Sequence, residues 1–228
     1  MLKESGLPGP RGNLELAQAF CMEASAKQIL ELAGIGPDDA PENTPQAFLA
    51  FCGVMGLGRL VASGDTSLLA ALRRRASDPR WRIREAVVMG LQLVGDADIN
   101  TLLREMRQWA RGNWYEKRAA AAALCEPRLL GSSMAAAGTL RLLDQITNSM
   151  LGSDDRSDAA FRTLRQGMAY CWSVAVACSP AQGKPLFEKW LSTEDADLRW
   201  LLSQNLGKSR LNRMDPKWVR ICRQRLSK

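Results

Sequence analysis

Apolar positions recur along most of the chain at helical spacing. In the stretch WRIREAVVMGLQLV, residues Ile83, Ala86, Val87, Gly90 and Leu91 fall three and four apart, which places them on one face of a helix running from about Trp81 to Val94. Period-two alternation is scarce, Val and Ile are sparse, and Ala, Leu, Arg, Gln and Met dominate, so the pattern predicts an all-α chain. The punctuation between periodic segments agrees. Thr66 to Ala76 reads as a short amphipathic helix with Asp65 or Thr66 as its cap, and SDPR makes a tight turn. Gly95 reads as a helix stop, and Asp98 as the cap of the next helix. Near the start, a Pro-Gly loop leads to Asn13 as the cap of a first helix. Near the end, Asp215 and Pro216 open a last helix with Trp218, Ile221, Cys222 and Leu226 turned inward.

The unit then recurs. Ile99 to Ala110, the turn RGN and WYEKRAAAAALCEPRLL repeat the short-helix, turn, second-helix order, and Arg118 stands 34 residues after Arg84. Arg165 and Arg199 are again 34 residues apart, in AAFRTLRQGMAYCWSVAVA and LRWLLSQNLGKSRL. A period of this size in paired helices predicts an α-solenoid, a superhelix of stacked antiparallel helix pairs in which each pair completes its core against the next. The expected segments are an N-terminal helical cap over 1–64, repeats over 65–210 and a basic capping helix over 211–228, all in one continuous domain.

Asp78-Pro79, Ile83-Arg84, Ala86, Leu91 and Gly95-Asp96 carry a resemblance to the HEAT-repeat family, and Asp195, Leu198 and Arg199 carry it again further on. The second unit departs from that pattern, with Gly112 where Asp would stand and Lys117 where an aliphatic residue is usual. The resemblance implies polar ladders in which the Asp and the Arg six residues later join neighbouring repeats, so Arg84 and Arg199 are expected to be structural. It also implies that second helices line the concave side. That role would fall to Arg82, Glu85 and Met89, then Glu116, Ala119 and Ala123, then Thr163, Gln166 and Tyr170, then Asp197, Trp200 and Gln204.

Composition removes several function classes. Histidine is absent, which takes away the commonest general base and metal ligand together with every Ser-His or Cys-His arrangement. The six cysteines stand singly among apolar neighbours with no C-x-x-C pair, so they read as reduced, buried small hydrophobes. No cofactor and no metal is expected. GVMGLGRL lacks the preceding strand and the G-K-[ST] ending of a phosphate loop, which leaves close helix packing as the reading of its glycines. No apolar run is expected to reach the length of a membrane span, and the first residues lack the apolar core of a secretory signal. The expectation is a cytoplasmic protein with no membrane partner.

Charge has a location as well as a total. The net charge is +7, with residues 1–58 at −4, 59–118 at +5, 119–198 at −2 and 199–228 at +8. Arg73, Arg74 and Arg75 fit a helix C-terminus, where cations oppose the helix dipole. Lys208, Arg210, Arg213, Lys217, Arg220, Arg223, Arg225 and Lys228 fit either a polar cap or an anion-binding end. Trp109, Trp190 and Trp218 read as packing anchors. Trp81, Trp114 and Trp200 lie beside Arg or Lys at the starts of second helices, where they could stack on a guanidinium group or on a base.

Candidate partner-binding residues are therefore Arg80, Trp81, Arg82, Trp114, Lys117, Arg165, Tyr170, Trp200, Lys208, Arg210 and Arg213. The leading expectation is a non-enzymatic binding scaffold for an acidic protein or a nucleic acid such as DNA. The alternative follows a fold-level resemblance to bacterial HEAT-like DNA alkylation repair glycosylases, which implies a concave cleft of tryptophans, an arginine and a catalytic aspartate. Here no Asp lies one helical turn from Trp81 or Trp114 on the same face, so Glu85 and Glu116 are the catalytic candidates by chemistry alone.

Overall fold

The computed structural model describes residues 1–227 and is all-α: among the described residues there are thirteen α-helices, two 3-10 turns and no strand. The helices gather into two compact units, Met1–Leu102 and the residues from Leu103 onward, and the division falls inside one helix. Lys228, counted above among the basic residues, lies outside the described residues.

The first unit holds α1 (Leu14–Glu23), α2 (Ala26–Gly34), α3 (Pro45–Ala62), a 3-10 turn (Thr66–Leu68), α4 (Leu69–Arg75), α5 (Trp81–Ala97) and the start of α6 (Ile99–Trp109). The caps are local and follow the sequence. Asn13 accepts from the Leu16 amide, Ser25 and Gln28 form a capping box, and Thr44 caps a helix that begins with Pro45. Asp98 accepts from the amides of Asn100 and Thr101, as expected. Gly95 does not stop its helix: α5 runs on to Ala97 with Gly95 buried inside it, because Gly costs a helix about 1 kcal/mol and packing outweighs that.

α3 is the core of this unit and packs on α1, α2, α4 and α5. Its glycines are contact points. A Cβ on Gly58 would overlap the backbone of Gly90 in α5, and one on Gly53 would overlap Leu32 and Ala33 in α2. Removing those side chains lets the backbones touch, the packing reading expected for GVMGLGRL. One expectation fails here. The 18 residues Pro45–Ala62 are long and apolar enough to cross a membrane, with Arg59 their one charge. The helix is apolar nearly all round because neighbours cover it on several sides, and 12 of its residues are buried within the protein.

The second unit continues with α7 (Trp114–Leu124), a 3-10 turn (Pro127–Leu130), α8 (Ser133–Leu151), α9 (Ala159–Cys178), α10 (Pro180–Glu188), α11 (Ala196–Leu206), α12 (Ser209–Met214) and α13 (Pro216–Leu226). α9 is central: α7, α8, α10, α11 and α12 all pack on it. Two buried polar groups fix its register. Trp172 donates from its indole nitrogen to Thr147 Oγ1 at 3.0 Å. Asn205 accepts from the Ser173 amide at 2.8 Å and donates to the carbonyls of Met168 and Leu201, both at 2.9 Å, so its burial leaves no polar atom stranded.

The anchors Trp109, Trp190 and Trp218 are buried as expected, and Trp172, which the periodicity did not single out, joins them. At the end of the chain Asp215 caps α13 and Trp218, Cys222 and Leu226 face inward. Ile221, however, is 54% exposed and Val219 takes the inward place. Ala119 and Ala123, expected on a partner-facing edge, are buried in the core, since α7 packs against both α8 and α9. Five cysteines are buried thiols, and Cys178 is exposed.

Candidate polyanion-binding surface

Arg75, Arg80, Arg82 and Arg84 of the first unit face the protein itself. Arg80 is 2% exposed, and all five of its N–H donors are engaged. Two go to the Asp78 carboxylate at 2.9 and 2.8 Å, and three go to the carbonyls of Ile35, Gly36 and Ala40 at 3.0 to 3.2 Å. Arg80 therefore ties the segment between α2 and α3 to the start of α5, and it is withdrawn from any partner. Burial by itself would raise the Asp78 pKa. The bonds from Arg80, with Arg75 at 3.1 Å, outweigh that and hold the carboxyl below its ordinary value.

Arg75 also donates to the Ala33 carbonyl at 2.5 Å, so it satisfies the end of α2 as well as facing its own helix dipole. Arg82, expected at a partner-facing edge, is 8% exposed: its Nη2 holds the Gly9 carbonyl at 2.7 Å and Asn43 Oδ1 at 3.2 Å. Arg84 donates to the carbonyls of Asp78 and Pro79 at 2.7 and 2.9 Å, whereas the Asp78 carboxylate goes to Arg80 and Arg75. Of the first-unit candidates, Trp81 is the exposed one and Glu85 is half-buried.

The second unit brings several candidates together. On α7, Lys117 lies 4.1 Å from the centroid of the Trp114 ring, and Trp114 meets Phe161 of α9 edge to face at 5.4 Å. Burial lowers the Lys117 pKa. The guanidinium of Arg165 sits 3.9 Å above Trp200 of α11, and its Nε makes an ion pair with Asp197 at 2.8 Å that is not aligned as a hydrogen bond. Arg156 grips Asp195 at 2.9 Å and Asp197 at 3.0 Å and covers the Phe161 ring at 5.1 Å. Burial would raise Asp195, but the Leu198 amide and Arg156 outweigh it and lower its pKa. A continuous chain of contacts thus runs from Trp114 through Phe161, Arg156 and Asp197 to Arg165 and Trp200.

Further along α9, Tyr170 forms a second cluster. Arg210 lies 4.3 Å over its ring and donates to its hydroxyl, and Lys208 stands 6.0 Å from the same ring. Arg213, Lys217 and Arg220 are exposed on α12 and α13. Arg223 and Arg225 are held instead by the Leu206 carbonyl and Glu188. Glu116 sits in the first turn of α7, where Asn113 caps its amide, so it and Glu85 belong to different units.

Arg156 is the member of this contact chain that sequence reasoning did not single out. It lies in GSDDRSD between helices, and its acidic partners lie 39 and 41 residues further on, beyond the reach of local spacing. In this unit the aromatic faces of Trp114, Trp200 and Tyr170 each already carry a cation. The three rings are therefore covered by the protein's own cations rather than bare for stacking, and the cation on Trp200 is itself paired with Asp197. No protein-family model, curated protein or solved structure matches the chain.

Proposed function

We propose that the protein is a non-enzymatic scaffold of stacked, HEAT-like helix pairs whose second unit binds a polyanion, with a nucleic-acid backbone as the partner. The observation that carries this reading is the placement of charge. The second unit holds 21 Lys and Arg against 12 Asp and Glu, and the first holds 10 against 12. All of the excess positive charge therefore belongs to the unit that also holds the ring-seated Lys117 and Arg210 and the exposed Arg213, Lys217 and Arg220. Such a surface draws its affinity from neutralised phosphates and carries little sequence preference.

The repeat reading has its own support. Arg84 and Arg199, which hold corresponding places in the two units that resemble the repeat most, each donate to the carbonyl six residues back, at 2.7 Å to Asp78 and 3.3 Å to Thr193. Arg199 also reaches the Leu226 carbonyl of α13. Successive second helices α7, α9 and α11 pack side by side within their unit, the contact that a stacked array requires.

The test is binding to a short fluorescent DNA duplex across a salt series. With three to five phosphates neutralised, log K should fall with log salt at a slope of about −3 to −4.5. Combining Arg213→Gln, Lys217→Gln and Arg220→Gln should reduce that slope by about 2 to 3. No binding at low salt, or a slope unchanged in the triple variant, would overturn the proposal. Tight binding of polyglutamate with none of DNA would move the partner to an acidic protein.

A further inference from the structure

The first unit holds a pocket that its arginine staples do not fill. It has a volume of about 320 Å³ and is lined by Phe48 and Phe51 of α3, Trp81 and Met89 of α5, Leu14 of α1 and the loop around Pro10. That size lies at the lower end of the range of small-ligand pockets. Trp81 is 46% exposed, an unusual state for the largest apolar side chain. We propose that this pocket binds a small neutral compound with one or two fused aromatic rings.

Three features of the fold build the pocket. First, α3 and α5 touch backbone to backbone at Gly58 and Gly90, which fixes how close their axes come. Phe48, Phe51, Trp81 and Arg82 lie roughly two to three turns upstream of that contact, where large side chains replace glycine. Second, the loop that forms the outer wall is pinned: the Asn13 amide bonds the Ser5 carbonyl at 2.9 Å, and Arg82 holds the Gly9 carbonyl at 2.7 Å. Asn43, in the left-handed region at φ 63°, accepts from both Arg82 and the Gly9 amide. Third, the rings are set in advance. The guanidinium of Arg82 lies 4.4 Å from the Trp81 centroid, and Phe48 and Phe51 are parallel to within 4° at 6.3 Å. A flat ring that enters finds aromatic faces already ordered, which lowers the entropic cost of binding.

Charge decides the class of ligand. Three charged side chains line the pocket, and each has an answer within the protein. Arg82 faces Glu42 at 3.7 Å, Arg11 faces Glu15 at 3.9 Å, and Glu85 is engaged. A charged ligand would have to give up its water and displace one of these partners to gain a counter-charge, whereas a neutral ring gives up only apolar hydration.

Saturation-transfer NMR and titration calorimetry with indole test this, with indole-3-acetate and tryptamine as the charged comparisons. Indole, with about nine non-hydrogen atoms, should bind with Kd of about 1 mM or tighter, the range open to very small ligands in a formed pocket. Each charged probe should bind at least about threefold more weakly. Met89→Trp, which fills the pocket from α5, should abolish indole binding. Trp81→Ala should weaken it about tenfold, and its exposed position keeps that variant informative if Met89→Trp fails to fold. Absence of saturable indole binding, unchanged binding in Trp81→Ala, or a preference for either charged probe would each overturn the proposal.

Discussion

Replacing Arg80 with Met tests whether the first of the three clustered arginines holds the first unit together. The change removes two charge-assisted bonds to Asp78 and one bond to each of three carbonyls between α2 and α3. Breaking a buried ion pair from one side costs about 3 to 5 kcal/mol, because the remaining charge stays buried without its partner. Two features place this case at the lower end. Asp78 keeps Arg75 at 3.1 Å and the backbone amide of residue 80 at 3.0 Å, and the Gly36 carbonyl keeps the Ala40 amide at 3.1 Å. The expected loss is therefore about 3 kcal/mol, a large share of the stability of a domain this size.

Urea unfolding followed by circular dichroism measures that loss, and hydrogen exchange over residues 35–44 locates it. The pH dependence gives a second reading. In the parent the Asp78 pKa is lowered, so its contribution is complete above the ordinary carboxyl value of about 3.9 and is lost as pH falls through the lower folded value. Without the guanidinium the lowering by the Arg80 side chain is gone and the folded pKa rises, so the penalty is relieved by protonation. The gap between parent and variant should then be widest at neutral pH and should narrow in acid. Removing both partners, as Asp78→Leu with Arg80→Met, should cost less than Arg80→Met alone. A loss below about 1 kcal/mol with exchange over 35–44 unchanged would refute the staple.

Two further outcomes follow from packing and from thiol burial. Gly58→Ala should destabilise the first unit by about 1 to 3 kcal/mol, read as a fall in Tm, because the added methyl meets backbone in α5 that cannot rotate away; a neutral effect would mean that α3 and α5 are further apart than described. With Ellman's reagent the native protein should show one accessible thiol, Cys178, and five more after unfolding. Burial pushes Cys52 up to about 12 and Cys222 up to about 11, and it raises Cys178 too against the pull of Arg210, so the Cys178 reaction should quicken as pH rises above 9. Loss of the fast phase in Cys178→Ser confirms the assignment, and a surviving fast phase contradicts it.

What could be read before any coordinates was local. Asn13, Asp98 and Asp215 act as caps because a capping side chain reaches only two or three residues along its own chain. Helix class and the inward sides of most helices follow from spacing, and the tryptophan anchors follow from their apolar neighbours. Where this reasoning failed, a non-local partner was responsible. Gly95 looked like a stop until α5 had a packed face to continue, and Ala119 and Ala123 looked outward until α8 and α9 closed over α7.

The arginines show the same division most clearly. Sequence reading gave Arg80 and Arg82 to a partner and Arg84 to the structure. The choice lay with carbonyls 44 and 73 residues away, at Gly36 and Gly9, which only the folded chain brings within hydrogen-bonding reach. The sequence alone thus determined the all-helical class, the caps and the excess of positive charge late in the chain, each set by composition or by neighbours within a few residues. Tertiary structure decided which cations are consumed by the fold, which rest on aromatic rings and where a pocket remains, because those depend on contacts that no local spacing encodes.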